Sequence, residues 1–244
     1  MRYLVITDIH ANIEALDVCL HDAASRGYDK VLVLGDIVGY GPDPNAVIDR
    51  VVSLNPAAIV RGNHDKIAFG LQQADGFNAS ARFAAQWTLN ALTPEHREWL
   101  VNLPQGPAVV DDCLEICHGS PVDEDEYIFD ELDARRAMDS SSQRLCLFGH
   151  THVALAFRLT GHSIGLVPPS DDGFVIEADS KYLVNPGSVG QPRDSDPRAA
   201  YLIVDVESQR LVTYRLEYPV TRTQEKMAAA GLPEPLVRRL AAGR

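Results

Sequence analysis

The chain has 244 residues, with 22 Lys and Arg against 34 Asp and Glu and a formal net charge of −12. With 45% hydrophobic and 23% charged residues it can bury one substantial core, which excludes disordered, collagen-like and coiled-coil classes. The acidity also argues against a surface that tracks a long nucleic acid, because such binding rests on Lys and Arg neutralising phosphates.

Tyr3 to Thr7 is an apolar run that stops at Asp8, far short of the ~20 residues of a membrane span. No small-residue cleavage site follows, so a cytoplasmic protein with no membrane contact is expected. Arg2 to Thr7 reads as a buried strand, and Ile13, Leu16, Leu20 and Ala23 then fall at helical spacing within Asn12 to Ala24. The plan repeats with a strand at Lys30 to Leu34, a helix at Asn45 to Leu54 ending before Pro56, and a short strand at Ala57 to Val60. Strand, helix, strand, helix, strand implies a parallel sheet whose carboxyl-end loops build a site.

Ala79 to Leu103 reads as one or two helices, with Thr93-Pro94-Glu95 as a helix start. Short strands follow at Ala108 to Val110, Leu114 to Cys117, Arg144 to Phe148, Val153 to Arg158, Ser163 to Val167, Phe174 to Glu177, Lys181 to Val184, Ala199 to Val206 and Arg210 to Leu216. This order suggests two sheets packed face to face with helices outside, in one domain spanning 1–244 with a helical tail from about 222. The tail, interrupted at Gly231-Leu232-Pro233, carries Leu232, Leu236, Val237 and Leu240, an apolar face for its own core by default or for a second copy in a homo-oligomer. Cys19, Cys113, Cys117 and Cys146 lack CxxC spacing and read as buried reduced thiols.

Five clusters close predicted strands: Asp8-Ile9-His10, Gly35-Asp36, Gly62-Asn63-His64-Asp65, His118-Gly119 and Gly149-His150-Thr151-His152. The strand ends of a parallel sheet converge on one crevice. Asp8 with His10, and His150 with His152, are expected to project to one side of an extended backbone. Each cluster has a bland reading, since Asp8 could cap a helix and Asn63 to Asp65 could be turn chemistry. Their conjunction does not. Carboxylate, imidazole and amide oxygen without thiolate suit manganese foremost, and also iron, cobalt, nickel or zinc, over calcium or magnesium. Seven such ligands with one shared carboxylate fill two sites, the arrangement that activates water against a phosphoester.

The order Asp-x-His, Gly-Asp, Gly-Asn-His-Asp, His and Gly-His-x-His closely resembles the calcineurin-like metallophosphoesterases along the whole chain. The resemblance implies a four-layer α/β/β/α sandwich. It assigns Asp8, His10 and His152 to one metal, Asn63, His118 and His150 to the other, and Asp36 to both, with a bridging hydroxide as the in-line nucleophile. It also implies that His64 donates a proton to the leaving oxygen or stabilises the transferring phosphoryl group, with Asp65 orienting its ring. Residues 35–42 and 185–193 resemble the small prokaryotic branch labelled phosphodiesterase or diadenosine tetraphosphatase-like. Gly39-Tyr40 and Asp65 replace the Asp-Arg pair and the Glu of the Ser/Thr phosphatase branch, which speaks against a protein phosphatase and the symmetrical dinucleotide hydrolase that shares its motifs; the expected activity is a phosphodiesterase with some phosphatase activity on small substrates.

Around this set, Asn12 could meet the phosphate or cap its own helix, two equal readings. Arg193 could clamp a phosphate or pair with Asp194 or Asp196. Tyr40 and Tyr127 could stack on a leaving group or simply pack. The acidic run Asp123 to Asp133 is a solvated face or, on the cleft rim, a filter favouring monoanionic diesters. The alternatives to an enzyme of small phosphoesters are a noncatalytic metal-containing scaffold for partner proteins and a nuclease. The intact ligand set speaks against the first and the acidic run against the second.

Overall fold

In a computed structural model that describes residues 1–70 and 76–244, two six-stranded sheets lie between layers of helices. The first half contains β1 (Arg2–Ile6), α1 (Ile13–Arg26), β2 (Lys30–Val33), α2 (Pro44–Ser53), β3 (Ala58–Ile59), α3 (Asn63–Ala68), α4 (Ala79–Ala91) and α5 (Pro94–Val101). Then come β4 (Ala108–Val110), β5 (Leu114–Ile116), α6 (Glu131–Ser140), β6 (Leu145–Leu147), β7 (Leu155–Thr160), β8 (Ser163–Leu166), β9 (Phe174–Val175), β10 (Ser180–Asn185), β11 (Ala199–Asp205) and β12 (Arg210–Leu216). The chain closes with α7 (Val220–Ala229) and α8 (Glu234–Ala242).

Strand order is β3-β2-β1-β11-β12-β9 in one sheet and β4-β5-β6-β10-β7-β8 in the other. β1, β2 and β3 run parallel, as do β5, β6 and β10. The layering follows from the two-residue period of a strand. In β1, Leu4 and Ile6 pack with Leu16, Leu20, Val47 and Val51 of α1 and α2. Tyr3 and Val5, on the opposite face, meet Ile116, Leu147, Tyr182 and Val184 of the second sheet. That sheet turns Cys146, Leu183 and Phe157 outward onto Ala134, Ala137 and Met138 of α6. The result is the expected four-layer α/β/β/α arrangement.

The tail docks on its own chain: Met227, Leu232, Leu236 and Leu240 pack with Tyr40, Ala81 and Ala84. Thr93 starts α5 as expected, accepting from the N–H of His96 at 3.2 Å, with Pro94 in the first turn. All four cysteines are free; Cys19, Cys117 and Cys146 are buried and Cys113 is partly so.

Candidate metal centre

Every cluster lies just beyond a strand of the crevice: Asp8 after β1, Asp36 after β2, Asn63 after β3, His118 after β5 and His150 after β6. The backbone there is not extended. Asp8, His10, Asp36, His150 and His152 have φ of 51°, 48°, 50°, 65° and 59°. A left-handed residue carries strain of about 1–3 kcal/mol, and such strain gathers where side chains must converge. This corrects the expectation that each pair projects to one side of an extended chain. His150 and His152 in fact serve different donor groups, one formed by Asp8, His10, Asp36 and His152 and the other by Asp36, His118 and His150.

Within each group the donor atoms lie within 4.8 Å of one another, and every member is buried. Asp36 joins the two. Its Oδ2 stands 3.5 Å from Nε2 of His10 and 3.5 Å from Nε2 of His118, while Oδ1 accepts from the His64 N–H at 2.9 Å. Asn63 Oδ1 lies 3.3 Å from His118 Nε2, bringing the seventh expected ligand to the second group.

Ring orientation is set from behind. Nδ1 of His10, His118 and His152 meets the carbonyl of Val38 (3.2 Å), Leu34 (2.7 Å) and Gln191 (2.6 Å). Donation there turns Nε2 of each ring toward the centre. His150 is reversed: its Nε2 meets the Asp125 carbonyl at 3.2 Å, leaving Nδ1 as the free nitrogen. Burial holds His10 and His152 well below the usual histidine range and His150 down to about 3, so these rings are neutral. Two neutral Nε2 atoms, of His10 and His152, then face each other at 3.1 Å with lone pairs opposed. Asp8 Oδ2 is buried with no partner among the described residues. Opposed lone pairs and an orphaned carboxylate oxygen are what a cation between them would satisfy, so the donor set fits two divalent ions.

His118 differs. Burial opposes its charge, but Asp36 and Asp8 hold it up at about 9. Against an ordinary value near ~6.5, its protonated form contributes fully to folding below about pH 6.5, and that contribution is lost as pH rises through about 9. A metal must displace this proton. Titrating Mn²⁺ into metal-free protein at pH 8 in buffers of different ionisation enthalpy should therefore show release of about one proton per chain. Buffer-independent heats would contradict it.

Two glycines make room for these side chains. A Cβ on Gly62 would stand 2.1 Å from Asp36 Oδ1, and one on Gly39 would stand 2.5 Å from His64 Nδ1. His64 is buried between Tyr40 and Phe77, with ring centroids at 4.2 and 4.6 Å. Its Nδ1 has no partner among the described residues.

Asp65 does not orient that ring. Its Oδ1 accepts from the N–H groups of Ile37 and Val38 and its Oδ2 from Gly62, so both oxygens fasten the loop after β2 to the start of α3. Asn12 likewise turns out to be a cap. Its Oδ1 accepts from Ala15 N–H and Thr223 Oγ1, and its Nδ2 donates to the Gly190 carbonyl and the Tyr218 hydroxyl, which leaves no amide group for a phosphate.

Arg193 does stand in the cleft. Together with Asp36, Tyr40, Asn63, His64, His150 and Arg239 it lines a space of about 170 Å³. Asp194 and Asp196, its expected partners in the bland reading, pair with Arg215 and Arg198. Part of the acidic run is paired in place: Glu124 meets Arg61 and Lys66, Asp125 meets Lys66, and Glu126 meets Arg136. Its contribution to the centre is the Asp125 carbonyl on His150 and the Tyr127 ring, 3.8 Å from that of His150.

The contacts of three features escape a reading of the sequence, which marks residues 185–193 only as a stretch of family resemblance. One is the turn after Asn185, whose Nδ2 donates to the carbonyl of Gly149 while Ser188 Oγ donates to that of Asp8, tying two ligand loops together. The others are Gln191 and Arg239. A signal existed for Arg239: Arg238 has Glu234 four residues back, whereas Arg239 has Pro235 there and Leu236 at three.

Two buried groups of Asp and His donors that share Asp36, at the carboxyl ends of parallel strands, define a protein able to bind two metal ions at one crevice. Residues 1–209 match the model of the calcineurin-like phosphoesterase superfamily domain, and the chain belongs to that family. It is similar to a metallophosphoesterase from Sphaerobacter thermophilus, with 42% identity, a TM-score of 0.86 and coverage of 100% of this chain and 99% of that one. An uncharacterized protein of Methanocaldococcus jannaschii is 35% identical over 98% of this chain and 97% of its own length. The fold also matches a hypothetical protein of Pyrococcus horikoshii at 21% identity and a TM-score of 0.81, covering 100% and 98% of the two chains.

Proposed function

We propose that this chain hydrolyses small phosphoesters, a phosphodiester in preference and monoesters as a secondary activity, with two divalent ions, manganese foremost. Asp8, His10 and His152 would hold one ion, Asn63, His118 and His150 the other, and Asp36 both. The observation that carries this reading is the single Asp36 oxygen lying 3.5 Å from a histidine nitrogen of each group. Bound ions supply an activated water and positive charge for the transferring phosphoryl group. The remaining work belongs to the chain. His64, buried beside the shared carboxylate, is placed to donate a hydrogen bond to a phosphoryl or leaving oxygen. Arg193 offers a planar fork to a phosphate of the substrate. A cleft of about 170 Å³ supports a small substrate over a long nucleic acid. The four free cysteines support a reducing, cytoplasmic compartment.

Chelator-stripped protein should lose hydrolysis of bis(p-nitrophenyl) phosphate and of p-nitrophenyl phosphate, and Mn²⁺ should restore both at two ions per chain. Full turnover in excess chelator would overturn the assignment.

A further inference from the structure

Most arginines of this acidic chain are neutralised where they stand. Arg26 pairs with Asp22, Arg61 with Glu124, Arg135 with Asp139, Arg158 with Glu177 and Arg198 with Asp196. Two of those without a carboxylate partner, Arg193 and Arg239, lie side by side in the cleft. Arg193, in the loop between β10 and β11, donates from a terminal nitrogen to Gln191 Oε1 at 3.1 Å. Arg239, on α8, donates to the same oxygen at 3.3 Å. Both are half-buried, and among the described residues neither has a carboxylate within 4 Å.

Sharing one acceptor places two guanidinium nitrogens within two hydrogen-bond lengths of each other. Like charges so placed repel, and burial followed by the charge of Arg193 lowers the affinity of Arg239 for its proton. Tyr40 opposes that shift and Gln191 Oε1 accepts from both forks, but among the described residues no carboxylate pairs with either arginine. Arg193 Nε and Gln191 Nε2 are both buried donors with no protein acceptor among the described residues. Two forks with donors beyond those given to Gln191 Oε1, and a buried amide whose Nε2 has no acceptor, form a concavity for an oxyanion.

This concavity is coupled to the metal centre. Gln191 gives its backbone carbonyl to His152 Nδ1 at 2.6 Å while its side-chain oxygen holds both arginines. The N–H of Arg193 donates to the His152 carbonyl at 3.1 Å. The far end of α8 is tied to the same loop, with Ser195 N–H donating to the Gly243 carbonyl at 2.9 Å. Arg239 is thus held in place both by its helix and by the loop bearing Arg193. It also lies past residue 209, where the match to the family domain ends.

We propose that Arg239 and Arg193, backed by Gln191, form a second anion subsite beside the dinuclear centre, which takes an uncleaved phosphoryl group of the substrate. The substrate class is then a phosphoester carrying a further phosphate next to the scissile one, and α8 is a specificity element. This rests on the phosphoester-hydrolase reading above.

The test compares two diesters that differ only in the uncleaved group: thymidine 5′-(p-nitrophenyl phosphate) and its 3′-phosphorylated counterpart. With Mn²⁺ the native protein should favour the phosphorylated one by about tenfold in kcat/KM, roughly the effect of one charge-assisted contact. Arg239→Gln should bring that ratio close to one, and Arg239→Lys, which keeps the charge and loses the fork, should fall between. Arg238→Gln, on the same helix and paired with Glu234, should leave the ratio unchanged. Titration of inorganic phosphate into metal-free protein should show affinity about tenfold weaker in Arg239→Gln than in the native chain. No preference in the native protein, or a preference that survives Arg239→Gln, overturns the subsite. If neither diester is hydrolysed, the hydrolase reading fails, and the phosphate titration still decides whether the arginine pair binds an anion. Should Arg239→Gln not fold, Arg239→Lys decides: an unchanged preference and phosphate affinity overturn the proposal.

Discussion

Asp36→Asn protein should fold normally and lose at least about 10³-fold in kcat, with metal content falling from two ions per chain. Burial pushes the Asp36 carboxyl toward its neutral form, yet the charge and hydrogen bond of His118 hold it well below the usual carboxylate range, so it is an anion in the native protein. An asparagine oxygen can still accept from the His64 N–H, where Asp36 Oδ1 accepts at 2.9 Å, so the local backbone has no reason to move. The other position changes sign. An amide nitrogen would point its hydrogens at His10 and His118, where a shared negative oxygen had stood 3.5 Å from each. Two ions loaded together supply several kcal/mol of transition-state charge stabilisation, and ~4 kcal/mol is about a thousandfold in rate. Metal analysis together with kcat on bis(p-nitrophenyl) phosphate checks this. Two tightly held ions with native turnover would remove Asp36 from its shared role.

The layers were legible because strand periodicity and helix spacing report burial directly: Tyr3 and Val5 face one way and Leu4 and Ile6 the other. The ligands were legible for a related reason. A buried His or Asp after an apolar run needs compensation, and five such clusters have one economical explanation. Backbone conformation at those positions was not. The left-handed φ of Asp8, His10, His150 and His152 is imposed by loops packing from elsewhere, against the local preference for extended chain. Asn63 to Asp65 reads as a turn because those residue types favour turns, yet it opens the short helix α3, with Asp65 bonding back to Gly62. The acidic run could not reveal its role, since what touches His150 is a backbone carbonyl, which any residue at 125 would provide. Arg239 meets Gln191 across 48 residues of sequence, a contact that exists only after the tail docks.

His64→Ala is the substitution that separates chemistry from metal binding. Burial holds the His64 imidazole down to about 4, with Arg193 acting the same way against the opposing pull of Asp36. The ring is therefore neutral through the physiological range and acts as a hydrogen-bond donor without a formal charge. Its removal leaves all seven expected ligands and the backbone N–H on Asp36 in place, so two ions should still bind. Loss of a positioned donor to the reacting oxygens should lower kcat by roughly 10²–10⁴-fold with little change in KM. The leaving group tells which oxygen it serves. If His64 assists departure, an alkyl ester, whose oxygen leaves as a strong base, should lose at least ten times more than a p-nitrophenyl ester, which needs no proton. Equal losses would place the donor on a non-bridging phosphoryl oxygen. A fall in metal content together with kcat would instead make His64 a support for Asp36, whose Oδ1 it meets through the backbone.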